Sequence, residues 1–286
     1  MAYDKYFLSE KKPEINPQEL KLIIKRALAE DIGKGDITTK IIIPKNKKVV
    51  AKIIAHEDFI LCGNFVAKNV FLTVDASLKF TEKSREGSEI KKGDIIAIIA
   101  GRAAGILSAE RVALNLLALL SGVTTKTSQF VKKITPYKTK ITDTRKTVAG
   151  LRELQKYAVR IAGGYNHRMR LDEMLIIKDN HRRLIGGYPK LPQIPPGYKV
   201  EMEAQSLNEF KHLLNFKPDI IMLDNMNMSD IKKAVMIRAN LPILLEASGG
   251  INLGNIKKYA ATGVDIISVG ELTDSIKSVD ISLDIV

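Results

Sequence analysis

Residues 219–249, DIIMLDNMNMSDIKKAVMIRANLPILLEASG, contain two continuous apolar strands that are separated by an amphipathic helical pattern. The strands are DIIMLD (219–224) and ILLEASG (243–249). Strands without polar alternation are typical of parallel sheets, because helices cover both faces of such sheets. This stretch therefore predicts an α/β fold with a parallel sheet.

The same alternation of strand and helix continues on both sides of this stretch. The other strands are KTKITDT (138–144), MLIIKD (174–179), YKVEMEA (198–204) and DIISVG (265–270), and further helical patterns are LRELQKYAVRI, LNEFKHLLNF and LGNIKKYAA. Repeats of this length in one domain predict a closed β/α barrel. Residues 186–197, GGYPKLPQIPPG, hold four prolines, so we expect an irregular surface loop there instead of a covering helix.

The first part of the chain has a different pattern. A helix is predicted over residues 16–33, with Asn16 as its N-cap and Gly33 at its end. Short β-branched strands follow within residues 47–100, and a helix over 64–74 interrupts them. A long apolar helix, roughly 108–134, then leads into the barrel pattern. We therefore predict two domains, residues 1–115 and 116–275.

The composition limits the possible partners and location. The 286 residues carry 45 Lys and Arg against 32 Asp and Glu, a net charge of +13, which suits small anions, acidic membranes or nucleic acid. No aromatic-interleaved basic motif or helix-turn-helix pattern supports nucleic-acid binding. The apolar run from residue 112, VALNLLALLSGV, is too short to span a bilayer, so no membrane association is expected. A single cysteine and an N-terminus without a signal-peptide core indicate a cytoplasmic protein.

Polar residues stand where the predicted barrel strands end, which is where β/α barrels have their sites. They are Asp143, Arg145, Lys146, Lys178, Asp179, Glu203, Asp224, Glu246, Ser248, Gly249, Gly250 and Gly270. An apolar core would reject so many polar groups, so their convergence indicates a binding site. The adjacent cations Arg145 and Lys146 repel each other, so we expect them to hold an anion.

Two glycine-containing turns, SGGINL and SVGELT, follow the last two strands. Backbone N–H groups at Ser248, Gly249, Gly250 and Gly270 are therefore candidates for phosphate binding. Either turn alone could need glycine only for its geometry. The pair, at the place where this fold commonly binds phosphate, favours a phosphate site.

The remaining candidates are two carboxylates and a basic segment. Glu203 and Asp224 suit ribose hydroxyls or a phosphate-bound Mg²⁺, held directly or through water. Glu201 is expected on the face opposite Glu203. No two histidines have helical ligand spacing, which argues against zinc. His167 and Arg168 join the cations, and mixed Arg, Lys and His side chains predict a ligand that has both carboxylates and phosphate.

Motifs throughout the chain resemble those of the quinolinate phosphoribosyltransferase family. In order they are EDIGKGDITT (30–39), SAERVALNLL (108–117), TDTRKTVAGLR (142–152), LQKYAV (154–159), GGYNHR (163–168), IKDNH (177–181), VEMEAQSL (200–207), IIMLDNM (220–226), EASGGI (246–251) and TGVDIISVGELTDS (262–275). The succession of DTRKT, NHR and IKDNH is the most specific part. One departure is Asp274, where the family commonly has His.

The resemblance implies a type II phosphoribosyltransferase fold. In this fold an N-terminal α/β sandwich lies beside an incomplete TIM-like β/α barrel, and the tail, here 276–286, returns to the sandwich. It also implies a reaction of quinolinate with phosphoribosyl pyrophosphate, aided by Mg²⁺, that yields nicotinate mononucleotide, pyrophosphate and CO₂. The enzyme would be a homodimer whose sites are shared between subunits.

The resemblance also implies roles for individual residues. Arg145, Lys146, His167, Arg168 and Lys178 would surround the substrates, Arg111 would reach into the partner subunit's site, and Glu203 and Asp224 would contact the ribose side. Lys146, Lys178, Glu203 and Asp224 are the catalytic candidates. Two enzyme alternatives stay open: a phosphoribosyltransferase for another aromatic acid, and an aldolase-type barrel that forms a Schiff base at Lys178.

Overall fold

The structure is a computed structural model that describes residues 14–188 and 197–286. Contacts between residues divide it into two compact units. We call residues 14–127, 148–163 and 275–286 the N-terminal unit, and residues 128–147 and 164–274 the barrel unit. The division falls inside one long helix, further along it than the boundary between residues 115 and 116 that the sequence suggested. Most of the proline-rich segment predicted to be a loop, residues 189–196, lies outside the described residues.

The described elements follow in chain order. The helices are α1 (Pro17–Ile32), α2 (Ile37–Ile42), α3 (Asn64–Val74), α4 (Ala103–Ile134), α5 (Arg152–Ile161), α6 (Asp179–Ile185), α7 (Leu207–Leu213), α8 (Met228–Arg238), α9 (Ile256–Ala260) and α10 (Glu271–Asp274). The strands are β1 (Lys48–Ala55), β2 (Phe59–Ile60), β3 (Lys79–Glu82), β4 (Glu89–Ile90), β5 (Ile95–Arg102), β6 (Lys140–Thr142), β7 (Leu175–Ile177), β8 (Val200–Ala204), β9 (Ile220–Asp224), β10 (Leu244–Ser248), β11 (Ile266–Ser268) and β12 (Ile281–Ile285).

The N-terminal unit is built on an antiparallel sheet with the strand order β12-β1-β5-β3. The tail of the chain therefore lies beside the first strand, with Ala51 opposite Ile285 and Ala55 opposite Ile281. The tail also passes close to α4, because a Cβ atom built on Gly122 would lie 2.3 Å from the carbonyl oxygen of Lys277. Glycine at this position is thus required for the close approach.

The two helices predicted in this unit are confirmed. The side chain of Asn16 accepts a hydrogen bond from the backbone N–H of Gln18 at 2.9 Å, which caps α1, and Gly33 ends the helix with a φ of 54°. Helix α3 covers residues 64–74 as expected. The carboxylate of Glu86 accepts hydrogen bonds from the N–H groups of Gly63 and Asn64 and so caps this helix.

Helix α4 is longer than the sequence suggested, because it begins at Ala103, directly after β5. Within the described ranges it is the one helix whose length and apolar composition would allow it to cross a membrane. Most of its apolar window is buried inside the protein, and core helices of soluble proteins meet the same criterion. The apolar run from residue 112 is thus part of a 32-residue helix.

The barrel unit contains a parallel sheet of six strands in the order β6-β11-β10-β9-β8-β7. The first strand of the unit pairs with the last, as in a barrel. Among the described residues no ladder joins the edge strands β6 and β7, and Tyr165 bridges to Thr142 on the open side of β6. The α/β fold class and the incomplete barrel are therefore confirmed. Met174, Ile176, Ile220, Leu244 and Ile266 form its apolar core cluster.

Candidate active site

The inner face of the barrel strands changes from apolar to ionic along each strand. Ile220 in β9 and Leu244 in β10 belong to the apolar core cluster. Alternate residues of a strand point to the same face, so Glu246 shares the face of Leu244, and Asp224 shares that of Ile220. The strands thus carry a row of carboxylates above the core, towards their C-terminal ends.

Glu201 and Glu203 lie on the same face of β8, and the expectation that they point to opposite faces was wrong. Residues i and i+2 of a strand project in the same direction. The charges of Lys178 and Glu203 both act on Glu201, the first lowering its pKa and the second raising it. Glu201 therefore lies in the interior of the barrel. The sequence analysis did not predict this position, although the alternation of side-chain direction along VEMEA indicates it.

His167 lies between two fully buried carboxylates. Its Nε2 is 3.1 Å from Oε2 of Glu201 and 3.6 Å from Oε2 of Glu246. The backbone N–H of His167 donates to Oδ1 of buried Asp143 at 2.9 Å, and the amide of Asn166 donates to the other oxygen at 2.6 Å. Asp143, one of the predicted strand-end groups, thus holds the NHR segment over β6.

The cluster of His167, Glu201 and Glu246 has the residue types and spacing of a metal site, with ligand atoms within 4.8 Å of one another. The ring tautomer argues against one. The backbone N–H of Arg168 donates to Nδ1 of His167 at 2.8 Å, so Nδ1 is an acceptor and the proton lies on Nε2. Nε2, 3.1 Å from Oε2 of Glu201, then carries a hydrogen and offers no lone pair to a metal. We therefore interpret the cluster as a buried group of ionisable side chains that retains a proton.

Burial explains where that proton resides. The pKa of Glu201 is raised to about 8, chiefly by burial, and that of Glu246 to about 7, by burial and by the charge of Glu201. Lys178 and Arg168 act in the opposite direction on the pKa of Glu201, and Lys178 also lowers that of Glu246. At neutral pH at least one of these carboxyl groups is therefore protonated in the folded protein.

We expect the free energy of unfolding to fall between pH 5 and pH 8. In this window the folded state holds protons that the unfolded carboxyl groups, with pKa values near 4.5, have already lost. Each group contributes at most about 1.4 kcal/mol per pH unit. Glu201→Gln should reduce this slope, and Glu30→Gln, at an exposed position, should leave it unchanged. Chemical denaturation across this range would measure it, and a stability that rises with pH would contradict the assignment.

Lys178, Glu203 and Asp224 meet at the strand ends. The ammonium Nζ of Lys178 is 3.6 Å from Oε2 of Glu203. Burial raises the pKa of Glu203, Lys178 lowers it, and Asp224 raises it, so the two carboxylates are close enough to interact. The side-chain amide of Asn225 donates to Oδ2 of Asp224 at 2.8 Å and orients it.

Arg168 places a buried guanidinium beside Arg145. Its Nη1 donates to the carbonyl oxygen of Met174 at 2.7 Å, while no described residue accepts a hydrogen bond from its Nε. Burial lowers the pKa of Arg168 and the neighbouring Arg145 lowers it further. Two arginines brought together in this way attract anions.

The glycine turns lie next to these groups. A Cβ atom built on Gly270 would be 3.2 Å from Cδ of Lys146 and 2.9 Å from Oδ2 of Asp274, so both side chains border this glycine. The hydroxyl of Thr273 donates to the carbonyl oxygen of Lys146 at 2.7 Å and ties α10 to the DTRKT segment. Ser248 ends β10 directly beside Asp224 of β9, its partner in the ladder.

Gly249→Ala should weaken the binding of pyrophosphate while the barrel unit stays folded. Gly249 has a φ of 95°, and an added Cβ would lie 2.2 Å from Oδ1 of Asn225. Asn225 itself has a φ of 54° and its N–H donates to the carbonyl oxygen of Ser248, so it cannot move away easily. Calorimetric titration with pyrophosphate should show at least a roughly tenfold weaker affinity. Gly187→Ala, at another strained but open glycine, is the control.

Arg111 is the one predicted site residue that lies in the N-terminal unit. It follows Glu110 on α4, with Nη2 3.9 Å from Oε1 of that residue, and its side chain is largely exposed. The other predicted cations, Arg145, Lys146, Arg168 and Lys178, belong to the barrel unit.

Two family models cover almost the whole chain. The C-terminal domain of quinolinate phosphoribosyl transferase matches residues 123–284, and its N-terminal domain matches residues 36–121. The chain belongs to the quinolinate phosphoribosyltransferase family. The family resemblance found in the sequence is thereby confirmed.

Relatives from distant organisms agree with this assignment. A probable carboxylating nicotinate-nucleotide pyrophosphorylase of Methanocaldococcus jannaschii is 41% identical over 92% of this chain and 96% of its own. The Mycobacterium leprae enzyme of the same name is 38% identical over 92% and 95%. The solved structure of the nicotinate-nucleotide pyrophosphorylase from Francisella tularensis superposes with a TM-score of 0.90 at 38% identity, covering 97% of this chain and 99% of that one. The chain therefore shares its sequence with these relatives, and its fold with the solved structure, over nearly its full length.

Proposed function

We propose that the barrel site transfers the phosphoribosyl group of phosphoribosyl pyrophosphate to quinolinate, with loss of CO₂, to give nicotinate mononucleotide and pyrophosphate. Family membership supports this reaction. The observation that carries it at the level of residues is the buried Arg168, which is 9% exposed and has an Nε without an acceptor among the described residues. A buried cation in this state needs an anionic ligand, and quinolinate supplies two carboxylates.

The arginines and the lysines of the site are proposed to bind different anionic groups of the substrates. Arg145 and Arg168 suit the planar carboxylates of the pyridine ring, because a guanidinium can bind a carboxylate through two parallel hydrogen bonds. Lys146 and Lys178 act as point charges towards the remaining carboxylate and the pyrophosphate. His167 supports them through the backbone of Arg168, to which its Nδ1 is hydrogen-bonded.

The chemistry then requires mainly positioning and neutralisation of charge. The ring nitrogen displaces pyrophosphate at the anomeric carbon of the ribose, where positive charge develops. The nitrogen becomes a pyridinium, which accepts the electron pair left when the adjacent carboxylate departs as CO₂, and a proton takes its place. Glu203 and Asp224 face the ribose side and stabilise the developing positive charge.

Glu203 and Asp224 are also the residues proposed to hold Mg²⁺, directly or through water. Two interacting carboxylates at neighbouring strand ends supply the hard oxygen ligands that Mg²⁺ prefers. When bound, Mg²⁺ would offset the charge of the departing pyrophosphate. Ser248, Gly249, Gly250 and Gly270 are proposed to bind the phosphate group through their backbone N–H groups. Asp274, beside Gly270, adds a carboxylate at that edge.

Arg111 is proposed to complete the site of a second copy of the chain in a cytoplasmic homodimer. Arg111 lies one turn beyond Ser108 on α4. The hydroxyl of Ser108 donates a hydrogen bond of 3.1 Å to Oδ2 of Asp36, which stands at the start of α2. Helix α2 exposes the side chains of Ile37, Ile41 and Ile42. Such an apolar surface next to an exposed arginine favours burial against another subunit.

Substrate choice tests the proposal. Purified protein with phosphoribosyl pyrophosphate and Mg²⁺ should convert quinolinate to nicotinate mononucleotide and CO₂. Nicotinate lacks the 2-carboxylate and would leave a buried arginine unpaired, at a cost on the order of 2–5 kcal/mol. Chromatography of the product and trapping of CO₂ measure both acids. Equal kcat/KM for quinolinate and nicotinate would contradict the dicarboxylate site.

The two enzyme alternatives are weaker. The reported relatives are nicotinate-nucleotide pyrophosphorylases, which gives no support to an aldolase that forms a Schiff base at Lys178. Borohydride trapping with a keto substrate would detect such an adduct, and none is expected. A phosphoribosyltransferase for another aromatic acid differs only in the carboxylates it recognises, and the comparison of acids above decides it.

A further inference from the structure

We propose that Arg182 is a positioning residue for Lys178, which it fixes by anchoring the short helix α6 that begins directly after Lys178. The inference rests on the proposed function, in which Lys178 faces the substrate anions. The side-chain contacts of Arg182 in the described part of the chain are with Glu209 and Tyr188, so its effect on Lys178 would be exerted through α6.

Helix α6 has little of its own to hold it in place. It is seven residues long, and none of them is buried. Its largest apolar side chain, Leu184, is 86% exposed and Ile185 is exposed as well. Helices this short are unstable unless tertiary contacts support them. The position of α6, and of the lysine at its start, therefore depends on a few polar contacts.

The contacts at the start of α6 are weak. The N–H of Asp179 is 3.4 Å from Oε1 of Glu203, and Nζ of Lys178 is 3.6 Å from the other oxygen. Both distances exceed those of good hydrogen bonds. The N–H of Lys178 donates to Nδ1 of His181 at 2.9 Å, but that contact lies within the same turn and does not attach α6 to the barrel.

Arg182 supplies the strong attachment. Its Nη1 is 3.0 Å from Oε2 of Glu209 in α7 and donates to the hydroxyl of Tyr188 at 2.9 Å. The guanidinium carbon also lies 5.2 Å from the centre of the Tyr188 ring, which packs against His212 and Phe216. The Arg182 side chain is only 12% exposed, and such a pair contributes more than a solvated one.

This attachment connects directly to both ends of the Lys178–Glu203 contact. The N–H of Arg182 donates to the carbonyl oxygen of Lys178 at 3.2 Å, so a shift of Arg182 displaces the lysine backbone. On the other side, Glu209 accepts a hydrogen bond from the N–H of Gln205, and the Gln205 amide donates to Oε1 of Glu203 at 3.2 Å. Lys178, Arg182, Glu209, Gln205 and Glu203 thus form a closed circuit of contacts.

The neighbouring arginine provides a matched control. Arg183 lies on the same helix, but its side chain is 74% exposed, and among the described residues its ion pair is with Asp179 of α6, at 3.1 Å. Arg182→Gln and Arg183→Gln remove the same charge from adjacent positions. A difference between the two variants therefore reports the anchoring of α6 and not the net charge of the site.

The experiment compares both variants with the wild-type protein in three measurements. These are steady-state kinetics with quinolinate and phosphoribosyl pyrophosphate, hydrogen exchange of residues 178–188, and the rate of acetylation of Lys178 by mass spectrometry. For Arg182→Gln we expect kcat to fall by about 10–100-fold, because small displacements of a charged group have effects of this size. Exchange in α6 and acetylation of Lys178 should both become faster. Arg183→Gln should stay within about twofold in all three.

Two further variants identify the contact responsible. Glu209→Gln should reproduce the effects of Arg182→Gln, and the double variant should be no worse than either alone, because both break the same link. Arg182→Lys should recover part of kcat. Unchanged exchange and acetylation in Arg182→Gln would overturn the proposal, whatever the activity. If wild-type protein does not use quinolinate, the proposed function fails, while exchange and acetylation still decide whether Arg182 anchors Lys178.

Discussion

Lys178→Met is expected to lower kcat/KM for quinolinate by about 10²–10³-fold while leaving the fold intact. The lysine ends the β7 region at the mouth of the barrel and faces Glu203 across 3.6 Å. Methionine keeps the length and apolar stem of the side chain but removes the charge that neutralises the bound anions. Because the Lys178 side chain is nearly half exposed, the fold should tolerate the change.

Kinetics, circular dichroism and thermal unfolding would check this expectation. Lys178→Arg should recover only part of the activity, because a planar guanidinium cannot replace a compact ammonium in the same space. Lys211→Met, at an exposed position of α7, should behave like the wild type. A Lys178→Met variant with a near-wild-type rate would remove Lys178 from the catalytic groups.

The sequence was most informative where local physics decides the structure. The N-cap Asn16 and the left-handed Gly33 limit α1, and both signals could be read directly from residue types. Continuous apolar strands predicted the parallel sheet, since only burial on both faces explains them. Strand-end positions then predicted that Lys178, Glu203 and Asp224 would lie at the mouth of the barrel.

The features that the sequence did not predict depend on contacts between distant residues. Arg182 resembles Arg183 in the sequence, and only the three-dimensional positions of Glu209 and Tyr188 separate a buried anchor from a solvated pair. The tautomer of His167 likewise follows from a backbone hydrogen bond that no spacing rule reveals. Glu201 is a different case, because the correct reading of strand alternation would have placed it in the interior.

The buried carboxyl groups and the buried guanidinium of the site both lower the stability of the folded protein. Glu201 and Glu246 keep protons that the unfolded chain would release, so they cost stability at neutral pH. Arg168 also loses hydration through burial. The groups of the site are thus held in place at a cost in stability, which is the arrangement expected when catalysis depends on preorganised electrostatics.

A mixture of two inactive variants is expected to regain activity. Arg111→Ala removes the cation that is proposed to enter the partner's site, and Glu203→Ala removes a carboxylate of the barrel site. In a hybrid dimer one site carries both changes and the other carries neither. If subunits mix at random, half of the dimers are hybrids with one intact site each, so about a quarter of wild-type activity should return by this symmetry count.

The test begins with each variant assayed alone, where both should be nearly inactive. The two chains are then refolded together, hybrids are confirmed by native mass spectrometry, and activity is followed with increasing fractions of hybrid. Arg26→Ala, at an exposed position of α1, replaces Arg111→Ala in the control mixture. Because Arg26 is outside the proposed site, the activity of that mixture should be proportional to the fraction of chains that retain Glu203. Confirmed Arg111→Ala and Glu203→Ala hybrids without recovered activity would place Arg111 in the site of its own subunit or outside the site altogether.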